Sequence, residues 1–283
     1  MSSETPNIGR YGVFSGLAWQ EAGVRAEAAA ELEELGFGTI WLGNSGVEKA
    51  ADVVGATSRI VVGTSIQSIW HHDAADTAER YAELEAAHPG RFLLGLGVSH
   101  PEATDVYRRP YGAMVAYLDA LDRAPAPVPQ GRRLLAALGP RMLGLARDRA
   151  AGALPYLVTA EQVAASREVL GEGPLLVPEL GVVLETDPER ARTLARGGLK
   201  LYLGLRNYVN NWLRGGFTED DLAGGGSDRL IDALFAWGDE ERIRARVEDF
   251  HAAGADQVAL QAITASGFDL PREEWRRLAG ILR

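Results

Sequence analysis

His71-His72-Asp73 is the densest run of metal-ligating and proton-carrying side chains in this sequence. Either the three residues hold an ion, or Asp73 caps a following helix while a histidine reaches a ligand. Neighbouring side chains on extended backbone point to opposite sides, so consecutive histidines seldom share one metal. A barrel metallohydrolase would also need His-x-His on its first strand, and residues 11–15 contain none. No metal site is expected, and His71 is placed as a polar contact to a ligand.

Three further stretches carry residues suited to a ligand with a flat ring and a phosphate. Gly95-Leu96-Gly97 leads into Val98-Ser99-His100. Glycine there serves close strand packing, or lets a planar group approach the backbone. Gly139-Pro140-Arg141-Met142 opens a helix, where free N–H groups and the helix dipole favour a phosphate and Arg141 would add a charge-assisted contact. Ser65-Ile66-Gln67-Ser68 ends an apolar run, presenting polar groups at its close. His100, with an ordinary pKa near 6.5, can act as acid or base. Covalent hydrolysis is excluded: no Gly-x-Ser-x-Gly elbow is present, and there are no cysteines to serve as nucleophiles, zinc ligands or disulfides.

These stretches recur because short apolar runs alternate with amphipathic ones. Strands are expected over 11–14, 39–42, 60–66, 92–97, 134–138, 153–158, 176–184 and 257–263. Helices fall between them, over 20–35, 48–56, 74–87, 111–121, 140–150 and from Thr159 to about Leu170. Further helices start at Thr186-Asp187-Pro188, at Asp239 and at Pro271. Asp73, Thr159 and Asp187 read as caps, and Gly36 as a helix end. Residues 204–228, with Gly224-Gly225-Gly226, break the rhythm as an insertion after strand seven. Eight β/α units in 283 residues point to the α/β class: a (β/α)8 TIM barrel over residues 1–283 as one domain, with a helical or loop insertion at about 204–228. A doubly wound sheet would show a glycine-rich turn after its first strand, and none is present. Barrel sites lie at the C-terminal strand ends, where all three ligand-suited stretches fall.

The formal net charge of −10 disfavours nucleic acid and anionic membrane as partners. The two lysines, Lys49 and Lys200, stand against an otherwise all-arginine basic complement, which reads as coding bias. No run approaches the roughly 18 apolar residues of a membrane span, and residues 1–10 lack the apolar core of a signal peptide. A cytoplasmic protein acting on a small molecule is expected.

The order Arg59-Ile60-Val61-Val62-Gly63-Thr64-Ser65-Ile66, then His88-Pro89-Gly90-Arg91-Phe92-Leu93-Leu94-Gly95-Leu96-Gly97, resembles the luciferase-like monooxygenase family. Gly36-Phe37 before strand two and Gly139-Pro140 after strand five extend the likeness over most of the chain. The helix from Arg141 into Gly152-Ala153-Leu154-Pro155-Tyr156 is similar to the branch that uses the deazaflavin coenzyme F420. The resemblance implies an oxidoreductase passing hydride between F420 (8-hydroxy-5-deazaflavin) and a small organic substrate. The alternatives are an FMN-dependent monooxygenase and a non-catalytic flavin-binding protein.

It also implies roles. Ser65-Ile66 matches a bulge with a non-prolyl cis peptide behind the central ring, with Gln67 and Ser68 continuing it. Gly97-Val98-Ser99 matches the segment along the ring and ribityl chain, and Gly139-Pro140-Arg141-Met142 the phosphate-binding helix start. Deazaflavin dehydrogenases of the family carry Asp-His after strand two and Glu in the strand-four turn; Gly43-Asn44 and His100 stand there instead. Asn44, His71 and His100 are thus the expected catalytic positions. Substrate contacts are expected from 15–19, His71 and 202–217, with Trp19, Trp70 and Trp212 as possible apolar walls. A homodimer is implied by the family alone.

Overall fold

Apolar runs without a polar face can be covered on both sides only inside a layered fold, and they form the strands here. The computed structural model describes residues 6–102, 104–266 and 269–282. The first half runs β1 (Tyr11–Ser15), α1 (Ala22–Glu34), β2 (Thr39–Gly43), α2 (Val47–Gly55), β3 (Val61–Ser65), β4 (Gln67–Ser68), α3 (Ala74–Ala87), β5 (Phe92–Gly97) and α4 (Pro110–Arg123). The chain continues with β6 (Arg133–Leu135), α5 (Pro140–Arg149), β7 (Gly152–Ala153), α6 (Ala160–Leu170), β8 (Leu175–Leu176), β9 (Glu179–Val183) and α7 (Pro188–Leu199). Then come α8 (Arg206–Arg214), α9 (Glu219–Leu222), α10 (Asp228–Leu234), β10 (Phe235–Trp237), α11 (Glu240–Ala252), β11 (Val258–Ala262) and α12 (Arg272–Ile281).

The pairings are parallel, in the order β10-β9-β11-β1-β2-β3-β5-β6-β7-β8, with β4 beside β5. Residues 175–183 hydrogen bond on both sides. Val177 N and Glu179 N donate to the carbonyls of Ala153 and Pro155, while Asp256 N and Ala259 N donate to those of Leu176 and Pro178. The segment thus links the β7 side of the sheet to the β11 side, and the sheet is curled. Its enclosed face holds Ile8, Trp41, Val61, Leu93, Leu134, Leu154, Val177 and Ala259. The opposite face packs on the helices.

The caps stand where the sequence places them: Asp73, Thr159 and Asp187 each accept from the first turn of their helix. Gly36 takes the left-handed φ of +87° after α1. Several bounds differ. The expected strand 134–138 ends at Leu135, and 153–158 keeps only Gly152–Ala153 in the ladder. The run 176–184 divides at Pro178, which has no N–H to give. Residues 204–228 contain the helices α8 and α9 and are followed by a further strand, β10, that the pattern did not suggest.

Candidate active site

The ends of β3, β4 and β5 are one connected unit. The Ser65-Ile66 peptide is cis, as the resemblance implies. Gln67 and Ser68 pair with Leu96 and Gly97, and Ile69 N donates to the Gly97 carbonyl at 3.1 Å. Trp70 Nε1 donates to the Val98 carbonyl at 2.5 Å, tying the turn after β5 to the segment after β3. Asn44, in left-handed backbone (φ 45°), lies beside the bulge, its N–H 3.4 Å from the Ser65 carbonyl. So Asn44, Ser65, Ile66, Ser68, Gly97, Val98 and Ser99 share one end of the sheet.

Gln67 is on the same segment but turns its side chain toward the helices. It accepts from Val47 N at 3.1 Å and donates to Thr77 Oγ1 at 2.8 Å, with 1% of its surface exposed. Its amide is spent on packing. The two glycines of β5 are likewise explained by packing: a Cβ on Gly95 would stand 1.9 Å from the Thr64 carbonyl oxygen, and one on Gly97 2.6 Å from Ile66 Cγ1.

At the start of α5 the situation is different. Gly139 caps the helix without a side chain, Pro140 occupies the first turn, and a Cβ at Gly139 would meet only Arg214 Nη2, at 3.8 Å. Arg214 ends α8 and also donates to Asn211 Oδ1 at 3.0 Å. Arg141 lays its guanidinium over the Tyr111 ring, 4.6 Å from the centroid. Met142 is half-buried against the core. The N–H groups of Met142 and Leu143 are taken by the Gly139 carbonyl, so the positive helix end, an open glycine and two guanidinium groups are what a phosphate could meet here.

A belt of aromatic rings crosses the same end. Phe14 meets Tyr156 (centroids 5.3 Å), Tyr156 meets Tyr202 (5.2 Å), and Tyr202 meets Tyr208 (5.0 Å). Tyr208 contacts both His100 (5.1 Å) and Trp212 (5.9 Å). The Tyr202 hydroxyl donates to that of Tyr156 at 3.2 Å, and Tyr156 donates to Gln261 Oε1 at 2.8 Å. Burial pushes these phenols above their usual range. Glu179 lies among them, 4% exposed, with Oε2 accepting from Leu157 N and Oε1 lacking a partner. Burial pushes its carboxyl up to about 8, with the single backbone donor from Leu157 opposing.

His100 is held from α8. Its Nδ1 is 3.3 Å from Asn207 Nδ2, which also donates to the Tyr107 hydroxyl at 3.4 Å. Burial lowers the His100 pKa, with Glu102 opposing.

His71 is elsewhere. With His72, Asp73 and Gln67 it lines a cleft of about 290 Å³ between the starts of α2 and α3, facing Glu48, Asp76 and Arg80. Of the residues around the cis peptide only Gln67 reaches that cleft, and neither His100 nor α5 does. Among the described residues no three His, Asp or Glu side chains cluster as metal ligands. Of the tryptophans, Trp212 is fully buried and donates to the Leu157 carbonyl at 3.0 Å, whereas Trp19 is 69% exposed.

The model of the luciferase-like monooxygenase family matches residues 15–257. The chain belongs to the luciferase-like monooxygenase family. It is thus an enzyme of the oxidoreductase and monooxygenase class. Curated proteins give no significant match. Among solved structures, an F420-dependent secondary alcohol dehydrogenase in complex with an F420–acetone adduct is 13% identical, with a TM-score of 0.73 over 98% of this chain and 100% of that one. A coenzyme F420-dependent tetrahydromethanopterin reductase from Methanopyrus kandleri is 17% identical, at TM-score 0.69 over 97% and 98%. The oxygenating constituent of 3,6-diketocamphane monooxygenase from Pseudomonas putida, in complex with FMN, is 12% identical, at 0.67 over 98% and 97%. At these identities the luciferase-like fold is what is shared.

Sequence reasoning missed Glu179 and Tyr156; Asn207 and Arg214 fall inside the expected 202–217 stretch, but their partners His100 and the start of α5 were not anticipated. Glu179 is a lone acid in an apolar run, a pattern that signals a buried carboxyl. Tyr208 and Trp212, four apart, mark one face of a helix, and Asn207 and Arg214 belong to that same helix.

Proposed function

We propose that this luciferase-like enzyme is an F420-dependent oxidoreductase that passes hydride between the deazaflavin and a small organic substrate. The reading takes the curled sheet as the family's (β/α)8 barrel, residues 1–283 as one domain, and 204–228 as its insertion. The observation that carries it is the start of α5: an open Gly139, an uncapped helix end and the Arg214 guanidinium, beside strand ends that also hold Ser65, Ile66, Val98 and Ser99. That donor set fits the phosphate of a flavin-type cofactor. When bound, the deazaflavin supplies hydride chemistry at C5 of its ring.

The chain's own residues supply position and polarity. Ser65, Ile66 and Ser68 would back the ring, Val98 and Ser99 would lie along it, and Arg141 and Arg214 would neutralise the phosphate. Phe14, Tyr156, Tyr202 and Tyr208 exclude water from the reacting face. Asn44 and His100 are the polar positions proposed for catalysis at the strand ends, with His100 against Tyr208 of the aromatic belt; His71, facing the cleft between α2 and α3, would act only from that side. A homodimer and a cytoplasmic location complete the proposal by family likeness, and no described helix is long and apolar enough to cross a membrane. Turnover of enones, imines and alcohols with reduced or oxidised F420 tests the reading. Oxygen-dependent turnover with FMN in its place would replace it.

A further inference from the structure

An amide nitrogen can only donate. Asn207 Nδ2 lies 3.3 Å from His100 Nδ1 and 3.4 Å from the Tyr107 hydroxyl, so one amide group offers its two hydrogens to two acceptors. With the amide in this orientation Nδ1 of His100 is the acceptor, which puts the proton of the neutral ring on Nε2. Among the described residues Nε2 has no hydrogen-bond partner, and it is not a sealed, unsatisfied atom.

We infer that Asn207 is a positioning residue that holds His100 as a neutral imidazole with Nε2–H outward, so that His100 polarises a substrate carbonyl rather than abstracting a proton. With Nδ1 taken and Nε2 protonated, the ring has no free lone pair for a base. A neutral imidazole still stabilises charge forming on oxygen, because the donor is aimed before the charge appears.

This use of His100 rests on the proposed function and names its substrate class: ketones, aldehydes or conjugated carbonyls, in the reducing direction. When bound, reduced deazaflavin would supply a hydride to the carbonyl carbon or its conjugated position, the π pair moving to oxygen; His100 Nε2–H would donate to that oxygen as it becomes negative, and the oxygen would then take a proton from water.

The arrangement is held from both sides. Asn207 lies in the first turn of α8, whose cap Leu205 offers no side-chain acceptor. Glu102 faces that helix end, Oε1 3.4 Å from Arg206 N. The ring itself packs on Tyr208. The titratable groups around it are Glu102 on its own loop, Tyr107 further along that loop and Tyr208 on α8. Only Glu102 favours the charged ring, and burial outweighs it.

Nitrogen-15 NMR of the full chain, labelled at histidine and assigned with His100→Phe, reads the tautomer without cofactor. The expected spectrum has an unprotonated Nδ1 and a protonated Nε2 at pH 7. Asn207→Asp should place a proton on Nδ1 and raise the His100 pKa by about one to three units, whereas Tyr107→Phe should change neither. A wild-type ring with Nδ1–H overturns the inference even if F420 binds. The expected tautomer in a chain that binds no F420 supports Asn207's role and removes the proposed function instead.

Discussion

Arg214 sets its guanidinium against the start of α5, with Nη2 3.8 Å from where a Cβ on Gly139 would stand. The residues are 75 apart in sequence, and in the proposed function they would together seat the cofactor phosphate at the start of α5. A charge-assisted hydrogen bond is worth about 1.5–3 kcal/mol. Arg214→Ala should therefore weaken F420 binding on the order of ten- to one-hundredfold, with little change in unfolding midpoint. Fluorescence titration at two salt concentrations checks this. Unchanged affinity would move the phosphate away from α5.

Glu33 organises the entry to β3. Its carboxylate accepts from the backbone N–H of Ser58, Arg59 and Ile60 and from Ser58 Oγ. Burial opposes the charge, but these donors together win and bring its pKa from 4.5 down to about 2. The folded pKa is depressed, so the stabilisation is complete above about 4.5 and is lost as pH falls toward 2. Glu33→Gln should cost about 2–3 kcal/mol at pH 7 and much less at pH 3. Urea unfolding at both values measures it; an equal cost at each pH would refute the assignment.

Glu179 has the opposite sign. Burial lifts its folded pKa from 4.5 to about 8, so the folded state holds the proton more tightly than the unfolded chain does. Wild-type stability should thus fall, by up to a few kcal/mol, as pH rises from about 4.5 to 8. Glu179→Gln should lack that slope. Unfolding at pH 5 and pH 8.5 compares the two, and parallel curves would show that Glu179 is ionised in the fold.

Gly63 in β3 faces the Trp41 ring, where a Cβ would stand 2.3 Å from Cζ3. Trp41 has nowhere to retreat, because its Nε1 donates to buried Gln257 at 2.6 Å. Gly63→Ala should destabilise by about 1–3 kcal/mol, read from the unfolding midpoint with Trp fluorescence. A neutral result would mean that the ring has more room than the packing allows.

The strands with a continuous apolar run were legible, because such a run leaves no solvated face: 39–42, 60–66 and 92–97 match β2, β3 and β5 within a few residues. Caps were legible for the same local reason, as Asp73, Thr159 and Asp187 act within their own first turn. Local features of the candidate site were legible where one segment carries them: the cis Ser65-Ile66 peptide came from the resemblance, and the helix start at Gly139-Pro140 from its own pattern. They were not legible where partners come from far along the chain. Asn207 meets His100 across 107 positions, and no local pattern announces that meeting. The two β5 glycines show the converse, since their spacing suggested a ligand and the neighbouring Thr64 and Ile66 account for them. Residues 204–228 could not be told as helix or loop because glycines flank short helices, and β10 is too brief for periodicity to reveal.

The central claim is that this fold holds a deazaflavin. Titrating the purified chain in parallel with F420 and FMN, followed by cofactor fluorescence, tests it most directly. Saturable F420 binding, tighter than FMN and weakened in Arg214→Ala, is the predicted result. Tighter binding of FMN, or no binding of F420, would contradict it.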